Sequence, residues 1–200
     1  PEKAFGRRPV QHHASLPLAE VGGFLRRLAL EPPVLSHQAC LLLLLTWART
    51  DELRGMRWDE IEGDLWRIPG PRMKRRIEHL VPLSRQAIAL LEALRARRVS
   101  EFVFPNDRRL DRPMSENSVL YLIGRIGYGG RLTGHGFRTM GSTWANEAGF
   151  NADAIERQLA HAPEDAIRAV YNQAQYLPER RKILQAWADW LDRERRFQPS

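Results

Sequence analysis

The stretch "GDLWRIPGPRMKRRIEHLVPLS", residues 63–84, decides the fold class. Its two arms, "GDLWRIPG" and "RIEHLVPLS", alternate apolar and polar residues and are split by turn formers, the pattern of short half-buried strands. Paired, they make a small antiparallel sheet, with Lys74 in the turn or strand between them. On either side apolar residues recur at helical spacing. The expected class is mainly α with a small antiparallel β-sheet (α+β).

Upstream, "PEKAFGRRPVQHHASLP" (1–17) has no apolar period and reads as an extended lead-in. Helix begins near Leu18 and stops at "EPP", and a second helix covers about 36–48. In "RTDELRGM" a short helix restarts, with Thr50 as its expected N-cap and Asp51 and Glu52 suited to the positive end of the dipole. Downstream, "SRQAIALLEALRARR" is helical behind a Ser84 cap, "EFVFPND" is a short extended piece, and "SENSVLYLIGRIG" is helical. Further helices are expected over about 135–148, from near Asn151, and over about 180–196.

The 200-residue chain suits one domain, and its 43% hydrophobic content is ordinary. No apolar run approaches the roughly 18 residues of a membrane span, so "ACLLLLLTWA" reads as a buried helix. Cys40 is alone, which excludes an internal disulfide and fits a reducing cytoplasm. The net charge is +7, and its distribution matters more than its size. Residues 67–112 hold twelve basic and five acidic side chains, whereas the remainder balances. An excess gathered on one segment suits a polyanion-facing surface. Of the 31 basic residues only Lys3, Lys74 and Lys182 are lysine. Lysine can give up a proton and arginine effectively cannot, so Lys74 in "PRMKRR" raises the question of a proton donor.

No G-x-S-x-G, Walker A or His-Glu-x-x-His occurs, and "GYGGRL" lacks the third glycine of a dinucleotide loop. His12 and His13 form the only histidine cluster and have no matching carboxylates, so no metal site is expected. In "TGHGFRTMGSTWANEAG", His135 and Arg138 are three apart and share a helix face near its first turn, an arrangement that suits a phosphate. Two exposed side chains on a helix would look the same. In "ERQLAHAPEDAIRAVYNQAQY", His161 follows an apolar stripe and Tyr171 comes ten residues later, although a core-edge histidine and a packed tyrosine remain open. Arg49 stands where a buried helix ends and the short helix begins.

This order of arginine, lysine, His-x-x-Arg, histidine and tyrosine resembles the tyrosine recombinases, or phage-type integrases. Those of satellite phages and genomic islands are most similar, through "RTDELRGMRW", "RMKRRIEHLVPLS", "HGFRTMGSTW", "ERQLAH" and "VYNQAQYLPERRKILQAWADWL". The resemblance covers about residues 36–193. It departs at "TWAR", where the family usually has a glycine before the arginine and Trp47 is expected to crowd the Arg49 loop, and at "FRTM", where a small residue often follows the threonine. It implies the family's catalytic-domain fold and a site-specific recombinase that integrates or excises a mobile element. Arg49, Lys74, His135, Arg138, His161 and the nucleophile Tyr171 would be catalytic, with Glu52 supporting. The family places arm-type and core-binding domains ahead of the catalytic domain. Residues 1–17 are accordingly expected to be the linker from them, and 18–200 the catalytic domain. The implied partners are double-stranded DNA attachment sites, a homotetramer in the synaptic complex formed from free monomers, and DNA-bending accessory proteins. No cofactor, metal or membrane is implied, and the expected location is the cytoplasm, at the bacterial nucleoid.

The resemblance implies that Tyr171 attacks a phosphodiester, leaving a 3′-phosphotyrosyl link and a free 5′-hydroxyl. Residue chemistry agrees. A phenol at neutral pH is about three units from ionised, about 4 kcal/mol, which nearby cations or a base such as His135 can offset. Arg49 and Arg138 supply planar forks for phosphate oxygens, and His161 a donor. The leaving 5′-oxygen needs a proton, which Lys74 on its hairpin can give. Arg72, Arg75 and Arg76 are the expected DNA contacts. Tyr176 is the rival nucleophile, but on a continuous helix it would face about 140° away from Tyr171. The alternatives are an inert DNA-binding module, a relaxing type IB topoisomerase with the same tyrosine chemistry, and a metal-dependent nuclease. Leu184, Trp187, Trp190 and Leu191 form one helical face, open to burial within the chain or against a neighbouring protomer.

Overall fold

The computed structural model describes residues 14–161 and 176–197. In chain order its elements are α1 (Leu18–Leu28), α2 (Leu35–Thr46), α3 (Thr50–Arg54), β1 (Ile61–Glu62), β2 (Leu65–Ile68), β3 (His79–Pro82) and α4 (Arg85–Arg95). There follow α5 (Ser118–Arg125), α6 (Gly134–Glu147), α7 (Ala152–Gln158) and α8 (Leu177–Arg196). Mostly helix with one small antiparallel sheet is therefore the observed class.

At the centre lies α2, whose leucine run is apolar all round and is buried from Ala39 to Thr46 apart from Leu41. It packs against α3, α4, α5, α6 and α8. Burial pushes the Cys40 thiol well above its ordinary range. The helix ends at Thr46, two residues before the expected 48, because Trp47 turns left-handed (φ 57°, ψ 22°) and its N–H closes on the Leu43 carbonyl. Glycine adopts that conformation without cost, and tryptophan does not. The Trp47 indole offsets the cost by full burial, with its ring centroid 6.2 Å from that of Trp187. It points into the core and leaves the Arg49 loop clear. A Cβ at Gly141 on α6 would collide with this indole, so the bulky residue on α2 faces a gap on α6.

The sheet runs β1-β2-β3, antiparallel throughout, with Trp66 opposite Val81 and Ile68 opposite His79. Trp66, Ile68 and Val81 are buried, as the alternation predicts. At two residues, β1 is too short to show a period. The segment expected as extended, "EFVFPND", makes isolated bridges, Arg57 to Phe102 and Pro105 to Pro113. Ser84 caps α4 by accepting the Ala87 N–H, and Asn151 caps α7 through Asp153 and Ala154.

The last helix, α8, starts three residues before the expected 180, with Pro178 in its first turn. Ile183, Leu184, Trp187, Ala188 and Leu191 are buried against α1, α2, α6 and α7, and the Trp187 indole N–H donates to the Leu44 carbonyl (2.8 Å). Full burial of a leucine such as Leu184 contributes about 2 kcal/mol. The face that the sequence left open between two destinations is filled from within the chain, with Trp190 half-buried at its margin, 5.0 Å from the Trp187 ring.

Candidate active site

Arg49 stands at the N-cap of α3. Thr50, the expected cap, is instead the first helical residue, and the open backbone donor is met by Glu52, whose carboxylate accepts the Arg49 N–H at 2.8 Å. The other Glu52 oxygen lies 2.7 Å from the Arg49 guanidinium. Glu52 is thus nearly buried at 6% exposure while the Arg49 side chain keeps 33%, anchored at one end and open at the other.

Beside it, α6 begins behind Thr133, whose hydroxyl accepts the Gly136 N–H at 3.2 Å. The lead-in crosses this helix start: the Ala14 carbonyl accepts the Thr133 N–H at 3.1 Å. Two glycines set the spacing. A Cβ at Gly134 would strike the Thr50 hydroxyl, and one at Gly136 the Ala14 carbonyl. The starts of α3 and α6 are therefore in contact. His135 is exposed in the first turn of α6, and Arg138 lies one turn further along, 3% exposed. The Arg138 guanidinium donates to the carbonyls of Trp47 and Leu159, while its Nε–H is buried without a partner. Burial first, then repulsion from Arg49, pulls its pKa down to about 10, and Glu52 and Glu156 oppose that shift. At neutral pH it remains charged.

His161 follows α7, exposed, with Nδ1 2.7 Å from a Glu156 oxygen. Arg138 bonds the carbonyls of Trp47 and Leu159, two residues before Arg49 and His161 respectively, so the structure brings Arg49, Glu52, Arg138 and the Glu156–His161 pair into one neighbourhood. Tyr171 lies outside the described residues. Tyr176 is not in a helix: it is a left-handed residue (φ 61°) preceding α8, so the chain is not continuously helical there. Its hydroxyl donates to Asp153 (3.2 Å), and that carboxylate raises its pKa, which makes it harder to ionise.

Lys74 is exposed near the tip of the β2–β3 connection, in a turn closed by the Arg76 N–H on the Met73 carbonyl (3.0 Å). The three arginines around it differ. Arg75 and Arg76 are exposed, Arg76 with φ 58°, whereas the Arg72 guanidinium reaches inward to the Glu60 carboxylate and the Glu52 carbonyl. Arg72 thereby fastens the hairpin to the backbone of α3, beside Arg49. Among the described residues, no three His, Cys, Asp or Glu side chains are gathered so as to hold a metal, and no helix is long and apolar enough to cross a membrane.

Residues 28–177 match the model of the phage integrase family. This chain belongs to that family. Its relatives include the prophage integrase IntZ of Escherichia coli K12, 45% identical over 190 residues, or 93% of this chain and 46% of that protein. The integrase of Enterobacteria phage P4 is 41% identical over 214 residues, covering 96% and 48%. The chain thus spans about half the length of these relatives. Among solved structures, an integrase from mycobacterium phage Brujita superposes with a TM-score of 0.67 at 16% identity, covering 90% of this chain and 61% of that one. The lambda integrase tetramer bound to a Holliday junction gives 0.62 at 17% identity, covering 82% and 51%. The fold is therefore that of the integrase catalytic domains.

Within this integrase fold, one layer escaped the sequence reading. Arg180, on α8, is 1% exposed; its Nε–H donates to Gln158 Oε1 at 3.0 Å and its Nη2 donates to the Leu80 carbonyl. The Gln158 amide donates in turn to the Thr46 carbonyl at 2.9 Å. His79, beside them, is kept neutral by burial and by Arg180 and Arg138. A sequence signal existed: the α8 stripe of Leu184, Trp187 and Leu191 extends back four residues to Arg180, a charge on an apolar face.

Proposed function

We propose that this integrase-family domain cleaves and rejoins double-stranded DNA at attachment sites through a 3′-phosphotyrosine intermediate, so that the full-length protein integrates or excises a mobile element. The observation that carries the reading is the pairing of Arg49 and Arg138. Two guanidiniums are fixed by the protein at the touching starts of α3 and α6, Arg49 by Glu52 and Arg138 by the Trp47 and Leu159 carbonyls. Such a pair is completed by an anion, and a phosphodiester supplies one with two free oxygens.

In the reaction, the Tyr171 phenol passes its proton to His135 and its oxygen bonds to phosphorus. The bond from phosphorus to the 5′-oxygen breaks, and that oxygen takes a proton from Lys74. Arg49 and Arg138 meet the charge on the non-bridging oxygens, His161 donates to one of them, and Glu52 orients Arg49. The reverse step with a 5′-hydroxyl of another strand completes the exchange with bond energy conserved. Tyr176 is unsuited to attack, because Asp153 opposes its ionisation. Arg75 and Arg76 contact the DNA backbone beside Lys74, and Arg72, committed to Glu60 and Glu52, braces the hairpin between them. The working assembly is a homotetramer formed on DNA from monomers, aided by DNA-bending proteins at the nucleoid.

The test is a covalent trap. Full-length protein is incubated in chelator with a nicked duplex carrying an attachment site that it binds in a gel shift, and the products are run on a denaturing gel. A protein–DNA band is expected, absent in Tyr171→Phe. No band from the wild-type protein on a site it binds would refute the reading, and a band surviving in Tyr171→Phe would refute the choice of nucleophile.

A further inference from the structure

Behind Arg138 stands a second buried guanidinium to which the reaction as written gives no part. All the partners of Arg180 among the described residues are neutral, the Gln158 amide and the Leu80 carbonyl. Burial and the nearby Arg157 lower its pKa. A buried cation without a buried counter-ion is costly, and an apolar side chain of similar volume often serves a core better. Its connections give it a use. Arg138 donates to the carbonyls of Trp47 and Leu159, while the chain Arg180–Gln158–Thr46 grips the residues immediately preceding both. Arg138 thus bonds the backbone at residues 47 and 159, while Arg180 holds the Gln158 side chain that bonds the Thr46 carbonyl one residue before Trp47, and the Leu80 contact ties that grip to β3, the strand that leads out of the Lys74 hairpin.

We infer that Arg180, acting with Gln158, is a positioning residue for Arg138. It fixes the carbonyls that aim the Arg138 guanidinium, and through them the charge offered to the phosphate. The inference rests on the function proposed above. It assigns Arg180 no contact with DNA, and its effect passes through buried backbone rather than through the surface.

The experiment compares wild-type and Arg180→Met full-length proteins on two nicked duplexes of the same attachment site. One carries an ordinary phosphodiester at the cleaved position, the other a methylphosphonate, in which a neutral methyl replaces one charged oxygen and lessens the need for Arg138. Arg180→Met is expected to bind the ordinary duplex within about two-fold of wild type and to form adduct at least about thirty-fold more slowly. On the methylphosphonate its deficit should shrink to about three-fold or less, and Arg138→Ala should show the same split. A wild-type rate on the phosphodiester would overturn the inference. So would an equal loss on both duplexes, which is what general damage produces. If Arg180→Met does not fold, Arg180→Lys, which keeps the charge but cannot span both acceptors, must show the same split at smaller size. A wild-type protein that forms no Tyr171-dependent adduct on either duplex marks failure of the proposed function, separately from failure of Arg180.

Discussion

Arg138 and Lys74 carry the same charge in opposite settings. Arg138 is 3% exposed, held by two backbone carbonyls and backed by a second buried arginine system. Lys74 itself projects into solvent from a turn fastened by the buried Met73 and by Arg72, and no hydrogen bond or ion pair holds its ammonium among the described residues. The contrast follows the two tasks proposed for them. A group that meets developing charge acts best when fixed beforehand, since any reorganisation is then already complete. A group that hands over a proton must follow the oxygen that leaves. Rigid buried cations and an exposed, lightly anchored one are the two halves of that arrangement.

The largest effect expected from breaking this contrast is at the exposed half. Lys74→Arg keeps the charge but cannot give up the proton. It should cleave about 10³-fold more slowly with DNA affinity intact, and a duplex with a sulfur leaving group should rescue it. Wild-type cleavage by that variant would remove Lys74 from the mechanism. Next, Arg138→Lys should slow adduct formation about 10²-fold, because an ammonium cannot span the Trp47 and Leu159 carbonyls, and the sulfur duplex should not rescue it. In Gly141→Ala the new methyl meets a tryptophan ring fixed in the core behind the buried half, so a loss of about 2 kcal/mol should appear in urea unfolding. Glu52→Gln still accepts the Arg49 N–H but loses the ionic bond to its guanidinium, and adduct formation should slow about ten-fold.

The smallest effect lies away from both halves, where α4 meets α8. There the Gln86 amide, with Gln185 and Arg85, holds the Asp189 carboxyl below its usual range. A depressed carboxylate stabilises the fold above the unfolded value near about 4 and ceases to do so as pH falls through its lower folded value. Asp189→Asn should therefore melt slightly below wild type at pH 6, and the two curves should converge towards pH 2.

Much of this arrangement was readable along the chain. The hairpin, the cap at Ser84, the helix start near Asn151 and the order of Arg49, Lys74, His135, Arg138 and His161 all leave local marks, since strand alternation, capping chemistry and motif spacing are properties of neighbouring residues. Settings were less readable than identities. Nothing local states that Arg138 is buried or that Arg72 reaches back to Glu52, because those partners lie 91 and 20 residues away. Trp47 shows the limit most clearly. A tryptophan where a left-handed turn favours glycine reads as an intruder, until Gly141, 94 positions on, proves to be the space that receives it. Thr50 reads as a cap because a hydroxyl residue usually is one, whereas here Arg49 takes that position and the Glu52 carboxylate accepts its N–H.

The hydrogen bond from Thr133 to the Ala14 carbonyl, tight against Gly136, makes the entering chain a tether fastened to the helix of His135 and Arg138. In mechanical terms the fold has a lever at that point. Tension or twist arriving along the lead-in reaches the start of α6 before it reaches α1, so a pull from upstream would be felt first in the turn that carries His135 and, one turn on, at Arg138.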